Sequence, residues 1–151
     1  MMSEFPLPEK FFKPYYKVHV ASLLAGEKVP EGWSVRVLGG EQRLVCREVW
    51  LQAEVVRLSL EHNWLELEEG GSLIKVTDIN RVPGGPNWLQ PGLYVQVLGE
   101  LDSKSQQVHC SKIINLLADK KLSRDNCKQL WNLEVTELHK LITKKIKISE
   151  Y

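Results

Sequence analysis

The chain has 151 residues, of which 43% are hydrophobic and 26% charged, and its formal net charge is +1. This length is enough for one domain with a sizeable core, and the composition is typical of a globular protein. The near-neutral charge excludes a general electrostatic attraction to nucleic acid or to an anionic membrane. No run of roughly 18 apolar residues is present, so we expect no membrane-spanning helix.

The first residues of the chain and its cysteines indicate the cellular compartment in which the protein resides. The opening stretch, MMSEFPLPEKFFKPYYK, lacks the continuous apolar segment of a secretory signal. The three cysteines (Cys46, Cys110 and Cys127) are odd in number and widely spaced, which argues against a disulfide framework or a CxxC metal site. We therefore expect an intracellular protein.

Residues 1–48 are predicted to form an N-terminal arm that is partly ordered and packs on the rest of the chain. Within it, YYKVHVASLLAG is compatible with one short helix or strand. GWSVRVL alternates as a strand does, and the following pair Gly39 and Gly40 predicts a turn.

Residues 49–118 are predicted to contain five strands. The first, EVWLQAEVVRLSL, is long, and its alternation changes phase by one residue after Val55, which predicts a β-bulge. WLELEE and SLIKV form a hairpin, and INRVPGGPNWLQPG is too rich in Pro and Gly for a strand or a long helix. LYVQVLGEL and QVHCSKIINL complete the set. A long bent first strand, a hairpin, an irregular connection and a final hairpin predict a five-stranded Greek-key barrel, the OB-fold. An SH3-like barrel is the competing topology.

Residues 123–147 are predicted to form a C-terminal helix, so the fold class is all-β with one C-terminal α-helix. Ser123 or Asp125 is suited to cap its N-terminus. Four apolar residues at helical spacing form one face: Trp131, Val135, Leu138 and Ile142. Three leucines lie beside that face: Leu130, Leu133 and Leu141.

This wide apolar sector has two interpretations. The helix can lie flat and bury the whole sector on its own barrel. Alternatively, one flank packs on the barrel and the other on a second protein, since an exposed apolar patch usually marks a partner site. We favour the second arrangement, because Trp131 is the kind of residue that anchors an interface.

The sequence contains no recognisable catalytic or metal-binding motif. GxSxG, HExxH and GxxxxGK[ST] are all missing from the sequence. His109 and Cys110 are adjacent on a strand and therefore point to opposite faces, one exposed and one in the core. The carboxylates of ELEE (66–69) are expected on an exposed strand end, where they are solvated. We predict no enzyme, no cofactor and no metal.

Single-stranded nucleic-acid binding is the alternative function, because OB-folds stack bases on aromatic side chains in basic grooves. The aromatic candidates are Trp50, Trp64 and Trp88. Residues 49–119 contain five basic and nine acidic side chains, a difference of −4, which repels a phosphate backbone. We therefore expect weak or no direct DNA binding.

Four segments carry a family resemblance. VWLQAEVV (49–56), the RVP and PGLYVQVLG of residues 79–99, and LWNLEVTELH (130–139) occur in one order. Together they resemble the family of small RecQ-mediated genome instability proteins, and YKVHVASLL resembles the family's segment before the barrel. The first fourteen and last twelve residues carry no resemblance. Trp88 and the longer tail KLITKKIKISEY depart from the family pattern.

The resemblance implies a nuclear, non-catalytic OB-fold adaptor with a C-terminal assembly helix. Its implied partner is the C-terminal OB domain of the larger RecQ-mediated genome instability protein, and through it topoisomerase III alpha and the Bloom helicase. This assembly dissolves double Holliday junctions without crossover, and a Fanconi anaemia translocase is a further implied partner. Carried over by position, the expected partner-binding residues are Trp131, Val135, Leu138, Lys17 and Trp50. Ile142, which continues the same helical face, is added to them from the spacing.

Overall fold

The structure is a computed structural model that describes residues 15–37, 42–118 and 123–149, with side chains as far as Thr143. The predicted turn at Gly39 and Gly40 lies outside the described residues. Before the barrel come β1 (Tyr16–Lys17), α1 (Val20–Leu24), β2 (Glu27–Val29), β3 (Gly32–Arg36) and β4 (Arg43–Cys46). The barrel strands and the last helix are β5 (Glu48–Ser59), β6 (Trp64–Glu69), β7 (Ser72–Thr77), β8 (Tyr94–Leu101), β9 (Gln107–Asn115) and α2 (Arg124–Ser149).

Strands β5 to β9 close into a five-stranded barrel. β5 pairs antiparallel with both β6 and β8, while β7 pairs parallel with β9. The order around the barrel is therefore β5-β6-β7-β9-β8 and back to β5. This is the Greek-key order of an OB-fold, and it confirms the predicted fold class.

The long strand β5 belongs to both sides of the barrel because it bends. The register with β6 shifts between Val55 and Arg57, which confirms the predicted bulge. Before the shift, the alternating residues Val49 to Val55 point into the core and are fully buried. After it, Leu58 is half-buried and Leu60 is exposed. The bulge thus ends the buried part of the strand.

The segment before the barrel supplies part of the core. The stretch predicted as one short helix or strand forms both, since β1 pairs parallel with β5 and is followed by α1. Strands β2, β3 and β4 form a separate three-stranded antiparallel sheet. Val20, Leu23 and Val35 are buried in the same cluster as the barrel residues.

The 79–92 connection holds only a short 3₁₀ turn at Ile79–Arg81 within a stretch that is otherwise irregular, as predicted. Helix α2 begins after Ser123, whose Oγ accepts a hydrogen bond from the backbone N–H of Asn126 at 3.1 Å. This is the predicted helix cap. None of the helices in the described ranges is both long and apolar enough to cross a membrane.

Candidate protein-partner interface

One face of α2 packs on the chain's own barrel. Cys127, Trp131, Val135 and His139 recur every fourth residue, and all four are buried. Trp131 is 1% exposed and is among the largest fully buried side chains described. The face that holds the helix in place is therefore the tryptophan face.

This orientation differs from the one expected for the predicted partner-binding residues. Trp131 and Val135 are buried within the chain, Ile142 packs against the core cluster and Leu138 is half-buried. Their contact with a partner stays a prediction, but in this structure they do not lie on the open side of the helix. The physical reason is that Cys127 and His139 extend the row formed by Trp131 and Val135 by about one turn at each end. The barrel therefore buries a longer continuous face of the helix.

The open side of α2 carries the leucines. Leu130, Leu133 and Leu141 are 54%, 59% and 64% exposed. At about 100° per residue, they lie roughly 80–160° around the helix from Trp131, all on the same side of it. We call these three side chains the leucine flank. It is the apolar side of the two-sided helix that the barrel leaves uncovered.

Lys17, on β1, lies next to the leucine flank. Its Nζ is 3.5 Å from Oε2 of Glu134 on α2, and its carbonyl oxygen accepts a hydrogen bond from Nε2 of His139 at 3.1 Å. Trp50 is the register partner of Lys17 on β5 and is half-buried. The structure therefore brings Lys17 and α2 together, with Trp50 on the adjacent strand.

His139 is held in the joint between α2 and β1. Burial lowers the pKa of its imidazole, and neighbouring His19 lowers it further, while the hydrogen bond to the Lys17 carbonyl acts in the opposite direction. The neutral form is the one that suits this site. The sequence has four histidines, and no motif or spacing singles out His139 among them.

A buried polar contact that sequence reasoning missed fixes the other end of α2. Nε2 of Gln52 donates hydrogen bonds to the carbonyl of Cys127 at 2.9 Å and to the hydroxyl of Tyr94 at 3.0 Å. Arg124 adds an ion pair with Glu54 at 2.7 Å. Gln52 lies between the inward-facing Leu51 and Ala53, on the outer face of β5 that α2 covers, so its position in the strand gave no sign that it would be buried.

The tryptophans proposed for base stacking are on different elements. Trp64 is half-buried on β6 with the Lys75 ammonium 5.4 Å from its ring centroid. Trp88 lies in the connection before β8 and packs partly against the core. Arg57, which would serve a phosphate, is bound by Glu66 at 3.0 Å. Two of the five barrel cations are therefore already engaged by the protein itself.

His109 and Cys110 take the positions predicted for them, one partly exposed and one in the core. Nε2 of His109 donates to Asp102 at 2.7 Å, and its Nδ1 lies 2.7 Å from the Thr77 hydroxyl. A hydrogen bond from the backbone N–H of Lys104 holds the pKa of Asp102 well below its usual range, and the bonds from His109 and from the Ser105 N–H lower it further. Burial raises the pKa of Cys110 to about 12, so its thiol stays protonated. Within the described ranges, no group of three acidic, histidine or cysteine side chains is placed to hold a metal.

The ELEE carboxylates are more engaged than expected. Glu69 accepts hydrogen bonds from Nδ1 of His19 and from the backbone N–H of Val20, both at 2.8 Å. The expectation of a solvated strand end is therefore wrong for Glu69, because α1 lies over it and the first N–H of that helix, on Val20, donates to its carboxylate.

Comparison with known proteins decides the family. The model of RecQ-mediated genome instability protein 2 matches residues 17–139. The chain belongs to this family. RecQ-mediated genome instability protein 2 from Bos taurus is 32% identical over 116 residues, which cover 75% of this chain and 69% of the relative. The Mus musculus relative is 30% identical over 116 residues, with 75% and 73% covered. The resemblance noted in the sequence is confirmed.

Solved structures support the fold of this RecQ-mediated genome instability protein 2 relative. A chain of a replication protein A heterotrimer bound to single-stranded DNA superposes with a TM-score of 0.61 at 17% identity, covering 85% of this chain and 98% of that one. The telomere capping protein Ten1 from Saccharomyces pombe gives 0.52 at 11% identity, with 80% and 97% covered. At these identities the likeness concerns the OB-fold alone. Family and fold together make the chain a genome-stability OB-fold protein.

Proposed function

We propose that the chain is a non-catalytic adaptor that pairs with the C-terminal OB domain of the larger RecQ-mediated genome instability protein. In this role it supports the dissolution of double Holliday junctions by topoisomerase III alpha and the Bloom helicase, the suppression of crossovers and the stability of replication forks, in the nucleus. The observation that carries the proposal is the leucine flank of α2, an exposed apolar stripe on a helix already anchored by its other side.

The physical argument starts from the cost of exposed leucines. Burying one Leu side chain contributes about 1.5–3 kcal/mol, so three adjacent exposed leucines favour association with a complementary surface. Leu130 and Leu133 are one turn apart, and Leu141 continues the stripe two turns further on. A partner helix laid along this stripe would meet all three side chains. Lys17 and Glu134 at its border supply charges that can orient the partner.

The barrel surface gives less support to nucleic-acid binding. Arg57 is paired with Glu66, Lys75 lies over Trp64, and carboxylates outnumber cations between residues 49 and 119. A phosphate chain would have to displace these contacts and overcome the acidic surroundings. The adaptor role needs no such rearrangement, because the leucine flank is open already.

The test is a one-to-one complex measured by size-exclusion chromatography with light scattering. The purified chain is mixed with the C-terminal OB domain of the larger subunit. We expect one complex with wild-type chain and none with Leu133→Asp, because a charge would then be buried without a partner. Leu73→Asp is the matched control, since Leu73 is an exposed leucine on β7, away from α2.

Two results would contradict the proposal. The leucine flank is not the interface if Leu133→Asp binds as wild type does, provided circular dichroism shows that it is folded. The adaptor role itself is wrong if the wild-type chain remains a separate monomer in the mixture. In that case a single-stranded oligonucleotide is the next ligand to titrate, at low and high salt.

A further inference from the structure

The leucine flank of α2 contains a charged residue at its centre. Leu133, Glu137 and Leu141 follow one another at intervals of four residues, so they form one row along the helix. At about 100° per residue, Glu137 lies roughly 120° around the helix from Trp131, within the roughly 80–160° that the three leucines span. Each leucine of the row is about 6 Å from it along the helix axis. A carboxylate therefore stands in the middle of the exposed apolar surface.

The chain itself engages this carboxylate only weakly. Oε1 of Glu137 is 3.6 Å from Nζ of Lys140, which is longer than a hydrogen bond. The two side chains are 65% and 69% exposed, so water screens the pair and its contribution to stability is small. Lys140 lies roughly 180° from Trp131, at the border of the leucine flank, so a partner along the flank can leave it in solvent.

A partner that covers the three leucines must also cover Glu137. A carboxylate that is removed from water without a countercharge strongly destabilises an interface. Two arrangements avoid this penalty: the partner supplies a cation opposite Glu137, or Lys140 folds over the row and neutralises it. The second arrangement would place an ammonium group on the surface that the leucines offer to the partner. The first arrangement leaves that surface apolar, and it is therefore the favoured one.

We propose that Glu137 selects the partner by binding a basic side chain, lysine or arginine, that lies among apolar residues of the partner's contact helix. This inference rests on the proposed function, because both use the leucine flank. The aliphatic stem of such a side chain packs on Leu133 and Leu141, while its charged end reaches the carboxylate. An apolar helix with a neutral or acidic residue at that position would leave Glu137 buried without a countercharge. The carboxylate thus discriminates against such helices.

The position of Glu137 distinguishes it from the charges at the border of the leucine flank. Glu134 is 3.5 Å from Nζ of Lys17, and both side chains are partly exposed. At the rim of an interface, charges of this kind change the rate of association more than the rate of dissociation. Glu137, at the centre, is expected to act chiefly on the rate of dissociation, because its charge loses contact with water in the complex.

The test measures binding rates and affinity by surface plasmon resonance, with the full chain and the C-terminal OB domain of the larger RecQ-mediated genome instability protein. We expect Glu137→Lys to weaken the complex by roughly hundredfold or more, mainly through faster dissociation, because two cations would then meet away from water. Glu137→Gln should weaken it by roughly tenfold. Glu61→Lys is the matched control, since Glu61 is an exposed carboxylate in the turn between β5 and β6 and not on α2.

A charge swap identifies the basic residue of the partner. Each Lys and Arg of the partner domain is replaced by Glu in turn, and each variant is mixed with the wild-type chain and with Glu137→Lys. We expect one partner variant to bind the wild-type chain poorly and to recover roughly tenfold or more of the affinity of Glu137→Lys. Lys140→Gln should change the affinity by about twofold or less, since the partner supplies the countercharge.

The results separate this inference from the adaptor proposal. Both are wrong if the wild-type chain forms no complex. Only the role of Glu137 is wrong if Leu133→Asp abolishes the complex while Glu137→Lys, shown to be folded by circular dichroism, binds as wild type does. That role is also refuted if Lys140→Gln weakens the complex as much as Glu137→Gln, or if no partner variant recovers binding of Glu137→Lys.

Discussion

Replacing Trp131 with alanine tests the orientation of α2. Truncating a buried tryptophan to alanine typically costs about 3–5 kcal/mol in the free energy of unfolding. The truncation also removes the indole N–H, which is buried without a hydrogen-bond partner among the described residues. Such a group costs the folded state about 1–3 kcal/mol, so its removal offsets part of the lost stability. The net expectation is a loss of about 3 kcal/mol. At about 2–4 °C per kcal/mol for a chain of this size, Tm should fall by about 6–12 °C.

The assays are urea unfolding and thermal unfolding, both followed by far-UV circular dichroism, with Leu133→Ala as the control. Leu133 is 59% exposed, so its truncation should change stability by about 0.5 kcal/mol or less. Trp131→Phe should lose less than Trp131→Ala, because it keeps a ring and removes the unpaired N–H. The reasoning fails if Trp131→Ala and Leu133→Ala cost the same, since the two faces of α2 would then be equivalent.

Three further predictions concern pH, packing and thiol chemistry. Because the folded-state pKa of His139 is lowered, the unfolded chain binds more protons than the folded chain as pH falls below about 6.5. The free energy of unfolding should therefore fall in that range by at most about 1.4 kcal/mol per pH unit. His139→Asn should remove this contribution to the pH dependence, measured by urea melts at about pH 7.5 and 5.5. Gly99→Ala would place a Cβ 2.5 Å from the β9 backbone and should cost about 1–3 kcal/mol, measured by the same melts. Burial raises the pKa of Cys46 and Cys110 to about 12, so both should react with Ellman's reagent only after unfolding. Cys127 is the third cysteine, so more than one fast-reacting thiol in the native chain would contradict the burial of these two.

The barrel could be predicted from the sequence because apolar residues that alternate with period two can be buried together in only one way. Val49, Leu51, Ala53 and Val55 can be buried together only as one side of a strand, and the change of phase after them requires a bulge. The final hairpin follows the same rule, since Val95 and Val97 are both fully buried. Each of these patterns fixes which side faces the core.

The orientation of α2 could not be predicted in the same way, because its apolar sector is wide enough for either of two faces of the helix to pack on the barrel. Counting apolar residues leaves Trp131 and Leu133 equally suited to face the barrel. The face that packs on the barrel is the one with the longer continuous row of buried residues. That row ends at Cys127 and His139, which a count of large apolar side chains leaves out. Cysteine is among the most frequently buried residues, so part of this signal was present in the sequence.

A cavity between α1, the end of β6 and α2 was also beyond sequence reasoning, because its walls come from segments far apart in the chain. Glu69 was expected to be solvated, but α1 folds over it. Ala21, Glu68 and Trp131 meet only after the barrel has closed and both helices have docked. Period and spacing describe single elements, and they carry no information about which elements become neighbours across long separations.

The contact between β1 and α2 has a consequence for the order in which the chain can fold. The hydrogen bond from His139 to the Lys17 carbonyl joins residues 122 positions apart. Such a contact is entropically costly to close early, and structures rich in long-range pairings fold slowly. On a ribosome, β1 would emerge long before the helix that covers it, and it could pair with β5 before α2 is made. The part of α2 around His139 therefore decides when the first strand gains its cover.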